Sequence, residues 1–200
     1  RMLQESLADE CCAERPASVD ADSTFTGAVF RDLGLEAAMR LGRDEHWLVP
    51  AGEIRVPKPA SLLGRGAYGV VALATMHGQA AAAKMLPHDA GDERRLKALL
   101  NELRVLRRVR HPNVVLFFGA AVDPLAGSVV LVYELIPGMQ LDHAVGCMDL
   151  SRLDRFRVIY DISGAVRYLH SQEPPIVHSD LKDGNVMVEG MRRGVRAKII

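Results

Sequence analysis

His178, Asp180, Lys182 and Asn185 fall within one short stretch, HSDLKDGN, with the apolar pair Ile176 and Val177 before it and the run VMV after it. Polar groups set between apolar runs in this way fit a tight loop between two short strands, aiming a carboxylate, an amine and an amide into one cleft. That combination is a layout for phosphoryl transfer.

The elements that must position such a loop lie upstream. Gly64, Gly66 and Gly69 form a GxGxxG run, which on its own fits a dinucleotide fold, a phosphate flap or an ordinary turn. The residues after Gly69 narrow the choice. A dinucleotide fingerprint opens a helix, whereas Gly69 runs into VVALAT, then the turn pair His77 and Gly78, then AAAAKML, which reads as strand, turn, strand. No Lys followed by Ser or Thr comes after a glycine, so a Walker loop is excluded. A glycine-bearing hairpin remains, with Tyr68 at its tip and backbone amides free to approach phosphate oxygens.

Lys84 ends a strand of small residues, and a buried ammonium there requires anions around it. The segment 94–109 carries Leu96, Leu99, Leu100, Leu103 and Leu106 at helical spacing. At ~100° per residue Glu102 sits ~40° from Leu106, at the edge of the apolar stripe. A carboxylate at that rim either pairs with Arg95 or Lys97 in water or turns inward to meet Lys84.

Further segments complete an ordered set: RHPNVVLFFGA at 110–120, and LVYELIPG at 131–138, where an apolar strand breaks at Pro137 and Gly138. In type, order and spacing these segments, with GRGAYGVV, AAAK, NEL and HSDLKDGN, resemble the eukaryotic protein kinase catalytic domain. HPNVVLFFGA, PPIVHSDLK and Trp47 ahead of the glycine run are most similar to the tyrosine-kinase-like group of serine/threonine kinases, Raf-like or mixed-lineage-like.

The resemblance implies roles. Asp180 accepts the proton of a protein hydroxyl, Lys182 steadies the migrating phosphoryl charge and Asn185 holds Mg²⁺. Lys84 meets the ATP phosphates and pairs with Glu102. Gly64, Gly66 and Gly69 cover the phosphates, the Glu134 carbonyl and the Ile136 amide contact adenine behind the gatekeeper Tyr133, and Leu63, Val71, Ala82 and Met187 sandwich the base. His178 reads as a packed structural histidine. Two departures accompany the match. Ser179 stands where most of the family has Arg, so activation through an Arg contact to a phosphorylated loop is not expected. AKII at 197–200 resembles the strand before the metal-binding Asp-Phe-Gly triplet, so the expectation is an incomplete catalytic domain, inactive by itself.

Composition agrees. The 200 residues are 48% hydrophobic with no net charge, yet residues 1–50 carry a net −5 and the remainder a net +5. The Arg-rich helix reads as a solvated face, not a nucleic-acid site, because stacking aromatics are missing. Cys11, Cys12 and Cys147 have no CxxC spacing, which argues against a disulfide framework or a zinc site and suits the cytoplasm. The longest apolar run, Val114 to Val122, is too short to span a membrane.

The expected architecture is α+β and bilobal. An acidic, loosely ordered lead-in covers 1–46, with a short helix from Phe30 ending at Gly42. A partial kinase domain covers 47–200: a small lobe at 47–133 with five antiparallel strands and one helix, a hinge at 134–138, and the start of a helical large lobe at 139–200, whose helix from Ser151 to Ser171 backs the catalytic loop through Leu153, Phe156, Ile159, Tyr160, Val166 and Leu169. The alternative function is a pseudokinase or nucleotide-binding scaffold. The partner is a protein substrate, and oligomeric state is not encoded in these features.

Overall fold

The computed structural model describes residues 32–66, 69–86, 93–123 and 128–200; the glycine-loop tip with Tyr68, the first 31 residues and Cys11 and Cys12 lie outside them. Among the described residues, six strands form one antiparallel sheet: β1 (Ile54–Arg55), β2 (Leu62–Gly66), β3 (Gly69–Met76), β4 (Gln79–Met85), β5 (Phe117–Asp123) and β6 (Ser128–Glu134). The order is β1-β3-β4-β6-β5, with β2 also paired to β3. The sequence pattern anticipated about five strands; the additional one is the two-residue β1, too short to leave a period-2 signal. Helix α2 (Glu93–Leu106) covers one face, and its last turn tapers into 3₁₀-type bonds from Arg108 to Val105 and from Val109 to Leu106.

A second, three-stranded sheet comes after the hinge: β7 (Met139–Gln140), β8 (Val186–Met191) and β9 (Gly194–Ile199). Helices α3 (Leu141–Cys147) and α4 (Arg152–His170) pack on it. Ser151 caps α4 in a reciprocal box: its hydroxyl accepts from the Asp154 amide, and the Asp154 carboxylate accepts from the Ser151 amide. Each sheet has its own core. Leu103, Phe117, Ala120 and Leu131 centre the first, and Ala144, Val158, Val186, Val188 and Ala197 the second. The bilobal α+β reading of the sequence is therefore the observed architecture.

Three local expectations are corrected. Val158, Ala165 and Leu169 are the buried face of α4, while Leu153, Phe156, Ile159 and Tyr160 are 57–70% exposed; the small side chains let the helix approach β9 closely, and the bulky row faces away. The HSDLKDGN stretch has a strand only behind it, β8, because Ile176 and Val177 form irregular chain and Val177 is exposed. Cys147 is disulfide-bonded, a departure from a sequence read as arguing against a disulfide framework. No helix among the described residues is long and apolar enough to cross a membrane.

The lead-in is more closely joined to the small lobe than its composition suggests. Helix α1 (Asp32–Asp44) runs two residues past Gly42, whose carbonyl then accepts from the Trp47 and Leu48 amides. Trp47 is 2% exposed within the first core, and its carbonyl accepts from the Ala120 amide. Glu45 ties the same segment to α2, accepting from Arg104 Nε at 2.9 Å while its carbonyl accepts from Arg107 at 2.7 Å. Trp47→Ala is expected to cost about 3–5 kcal/mol, read as a lower denaturant midpoint at unchanged slope; a loss below about 1 kcal/mol would mean that this segment is peripheral.

Candidate functional site

Strand register builds the upper half of the site. Gly64 pairs with Val71, Val71 with Lys84 and Lys84 with Leu131, so four neighbouring strands present these residues as one row across the sheet. At about 4.8 Å per strand, the Lys84 backbone lies two strands, about 10 Å, from Gly64. A Cβ added at Gly64 or Gly66 would meet no protein atom, so both open onto free space where a phosphate could approach the backbone. Gly69, at φ 124°, adopts a conformation that favours glycine. Val71, Ala82 and Met187 are half-buried and Leu63 is 48% exposed. These apolar residues are therefore not consumed by a closed core.

The lower half is a hydrogen-bonded cluster. Lys182 Nζ donates to both Asp180 oxygens, at 3.2 and 2.9 Å, and Asn185 Nδ2 donates to the Asp180 carbonyl at 2.7 Å and to Oδ2 at 2.9 Å. The sharp turn that aims Asp180 outward passes through Ser179 at φ 63°, an unusual conformation for a side chain other than glycine. Asp180 and Lys182 are both more than half exposed, so their pair contributes little to stability and does not serve as a fold strut. His178 Nε2 faces the Ile200 carbonyl at 3.1 Å; a carbonyl only accepts, so this nitrogen carries the proton. Its other ring nitrogen, Nδ1, is buried without a hydrogen-bond partner among the described residues. The Asn185 carbonyl accepts from the Ile200 amide, which fastens the end of the loop to β9.

The halves meet beside the hinge. Met139 and Gln140 pair with Val188 and Met187 of β8, and Gln140 Nε2 donates to the Gly184 carbonyl at 2.8 Å. A Cβ at Gly138 would strike the Val188 carbonyl, so only glycine lets the hinge lie against β8. Ile136 is half-buried, and its carbonyl accepts from the Gly138 amide. Glu134 does more than sequence reasoning assigned to it. Its side chain accepts from the Leu116 amide at 2.8 Å and from Lys198 Nζ at 2.5 Å. Lys198 escaped the sequence reading; the available signal was a lone cation inside the apolar run AKII.

The expected Lys84–Glu102 ion pair is not formed among the described residues. Glu102 is exposed, on the side of α2 next to the deeply buried Leu103. It still lies on the Lys84 side of the sheet, because Tyr133, directly opposite Ala82 and so on the same face as Lys84, feels its charge. Burial first, and the Glu102 carboxylate second, push the Tyr133 phenol far above its usual pKa.

Metal-binding capacity is partial. With its amide nitrogen committed to Asp180, Asn185 has Oδ1 to offer a cation, but the described residues contain no cluster of three His, Cys, Asp or Glu side chains. One oxygen does not complete the six-ligand shell of Mg²⁺.

The protein kinase domain profile matches residues 58–200, and the chain belongs to that family. It is 36% identical over 129 residues to the serine/threonine-protein kinase CTR1 of Arabidopsis thaliana, covering 64% of this chain and 16% of that protein. It is 34% identical over 146 residues to the probable serine/threonine-protein kinase drkD of Dictyostelium discoideum, covering 72% and 11%, and 35% identical over 190 residues to U-box domain-containing protein 34 of Arabidopsis thaliana, covering 91% and 23%. The chain thus spans less than a quarter of each of these curated relatives.

The Asp180 carboxyl is held below the ordinary carboxylate value, first by the hydrogen bond from Lys182, then by that from Asn185, with slight desolvation opposing. A depressed folded-state pKa keeps the carboxylate ionised through neutral pH and loses it only as pH falls through the lowered value. Lys182→Met is expected to move the Asp180 titration upward, read by carboxyl-carbon NMR; an unchanged titration would remove Lys182 as the cause.

Proposed function

We propose that this chain is the nucleotide-binding and catalytic-loop portion of a serine/threonine protein kinase that transfers the γ-phosphate of ATP to hydroxyls of a protein substrate. The observation that carries this reading is the Asp180–Lys182–Asn185 cluster: an ionised, outward-facing carboxylate fixed by an ammonium and an amide. Asp180 orients the substrate hydroxyl and takes its proton. The hydroxyl oxygen forms the new O–P bond as the bond to the leaving diphosphate breaks, and the proton ends on the Asp180 carboxylate. Lys182, turning from Asp180 toward the migrating group, offsets its negative charge.

Above the loop, Gly64, Gly66 and Gly69 cover the phosphates with backbone amides, and Lys84 contributes a cation from the same cross-strand row. Leu63, Val71, Ala82 and Met187 enclose the adenine, with the Glu134 carbonyl and Ile136 amide on its edge and Tyr133 behind. Mg²⁺ would take Asn185 Oδ1 together with phosphate oxygens and neutralise the charge between phosphates. Glu102 reaches Lys84 after a displacement of α2, so the present arrangement corresponds to a resting position of that helix.

A second reading, a nucleotide-binding module without transfer, is favoured by Ser179 and by the exposed Glu102. Assaying the full-length protein for phosphate transfer to a generic serine/threonine acceptor separates the two. Turnover is expected, reduced about 10²- to 10⁴-fold in Asp180→Asn with ATP binding retained. Binding without turnover in the wild type would favour the module, and equal turnover by both proteins would remove Asp180 from its role.

A further inference from the structure

Lys198 is 8% exposed, a cation buried in a strand whose flanking residues Ala197 and Ile199 are 0% and 1% exposed. Its ammonium meets Glu134 Oε1 at 2.5 Å, and the same oxygen accepts from the Leu116 amide at 2.8 Å. Glu134 also donates its own amide to the Leu116 carbonyl at 2.9 Å, so residue 116 is gripped by both main chain and side chain. Next to Leu116, the Val115 amide donates to the Ile199 carbonyl, and the Ile199 amide to the Asn113 carbonyl. Segment 113–116 therefore bonds to β9 on one side and to Glu134 on the other, and Lys198 closes the ring by reaching from β9 back to Glu134. The two sheets are continuous only through the short chain from Glu134 to Met139. The Lys198–Glu134 contact is a side-chain strut across that joint.

A buried ion pair is a poor device for stability alone, since apolar residues of similar volume commonly do as well. Its directional bond instead fixes where Glu134 sits. We propose that Lys198 is a positioning residue for nucleotide binding: through Glu134 it holds the start of the hinge so that the backbone carbonyl of Glu134 and the amide of Ile136 present themselves to an adenine. The inference rests on the ATP reading above and adds to it a residue outside the cleft-lining set. Lys198→Met keeps the apolar stem and removes the ammonium, while the Glu134 carboxylate, with its side chain 24% exposed, retains the Leu116 amide. The double variant Glu134→Gln with Lys198→Met removes both charges, so no unpaired ion remains to unfold the joint.

The test measures equilibrium binding of a non-hydrolysable ATP analogue, the KM for ATP and kcat in the full-length protein. Both variants are expected to bind the analogue about tenfold more weakly, the scale of one misaligned hydrogen bond. KM for ATP should rise with kcat little changed, and Lys198→Arg should restore part of the affinity. Wild-type affinity in Lys198→Met would overturn the inference while leaving the ATP reading intact. So would a weakening that tracks the melting temperature and vanishes in the double variant, or a fall in kcat at unchanged KM. Failure of the wild type itself to bind the analogue would remove the ATP reading and this inference with it.

Discussion

An ammonium removed from water must find a carboxylate, and in this protein that requirement is met across the joint between two sheets, where Lys198 of β9 reaches Glu134 at the end of β6. Around this contact the rest of the site is arranged. On one side, cross-strand register lines up Gly64, Val71, Lys84 and Leu131. On the other, β8 and the Ile200 backbone fasten the loop that carries Asp180 and Asn185. The joint sets the separation of the two halves, and the hydrogen bonds of segment 113–116 to both sides fix it without a long linker.

The two halves differ in how firmly they are built. The Asp180 cluster is assembled from residues within one short stretch, so local turn geometry suffices to make it. The Lys84–Glu102 contact instead needs a strand and a helix, joined by a connection outside the described residues, to stand at the right distance. The exposed Glu102 shows that distance is not fixed by the sheet. Helix α2 is also held by Glu45, which engages Arg104 and Arg107, and by Trp47, which shares the first core with Leu103. The position of α2 thus depends on these contacts while the Lys84–Glu102 pair is not formed.

Much of this was legible in the letters. Glycines with a strand-turn-strand continuation gave a hairpin because local chemistry decides it, and the leucine spacing of 94–109 located α2 to within three residues. The Ser151 cap and the hinge break at Pro137 and Gly138 are likewise short-range signals. The missed features depend on partners distant in sequence. Periodicity could not tell which face of α4 is buried, because Phe156 and Ile159 recur as regularly as Val158 and Ala165, and only the approach of β9 chooses between them. Trp47 was noticed as a marker, but the burial of its ring against Gly42 required the fold. Lys198 was not singled out, since nothing local reveals a carboxylate 64 residues away.

The function proposed above requires one nucleotide to engage the glycine hairpin, the hinge and the 178–185 loop together. Titrating isotopically labelled protein with an ATP analogue and monitoring backbone amides by NMR tests it most directly. The account requires shifts at Gly64, Gly66, Ile136 and Asn185 that fit a single saturating curve. Shifts confined to one of these segments, or none at saturating analogue, would contradict it.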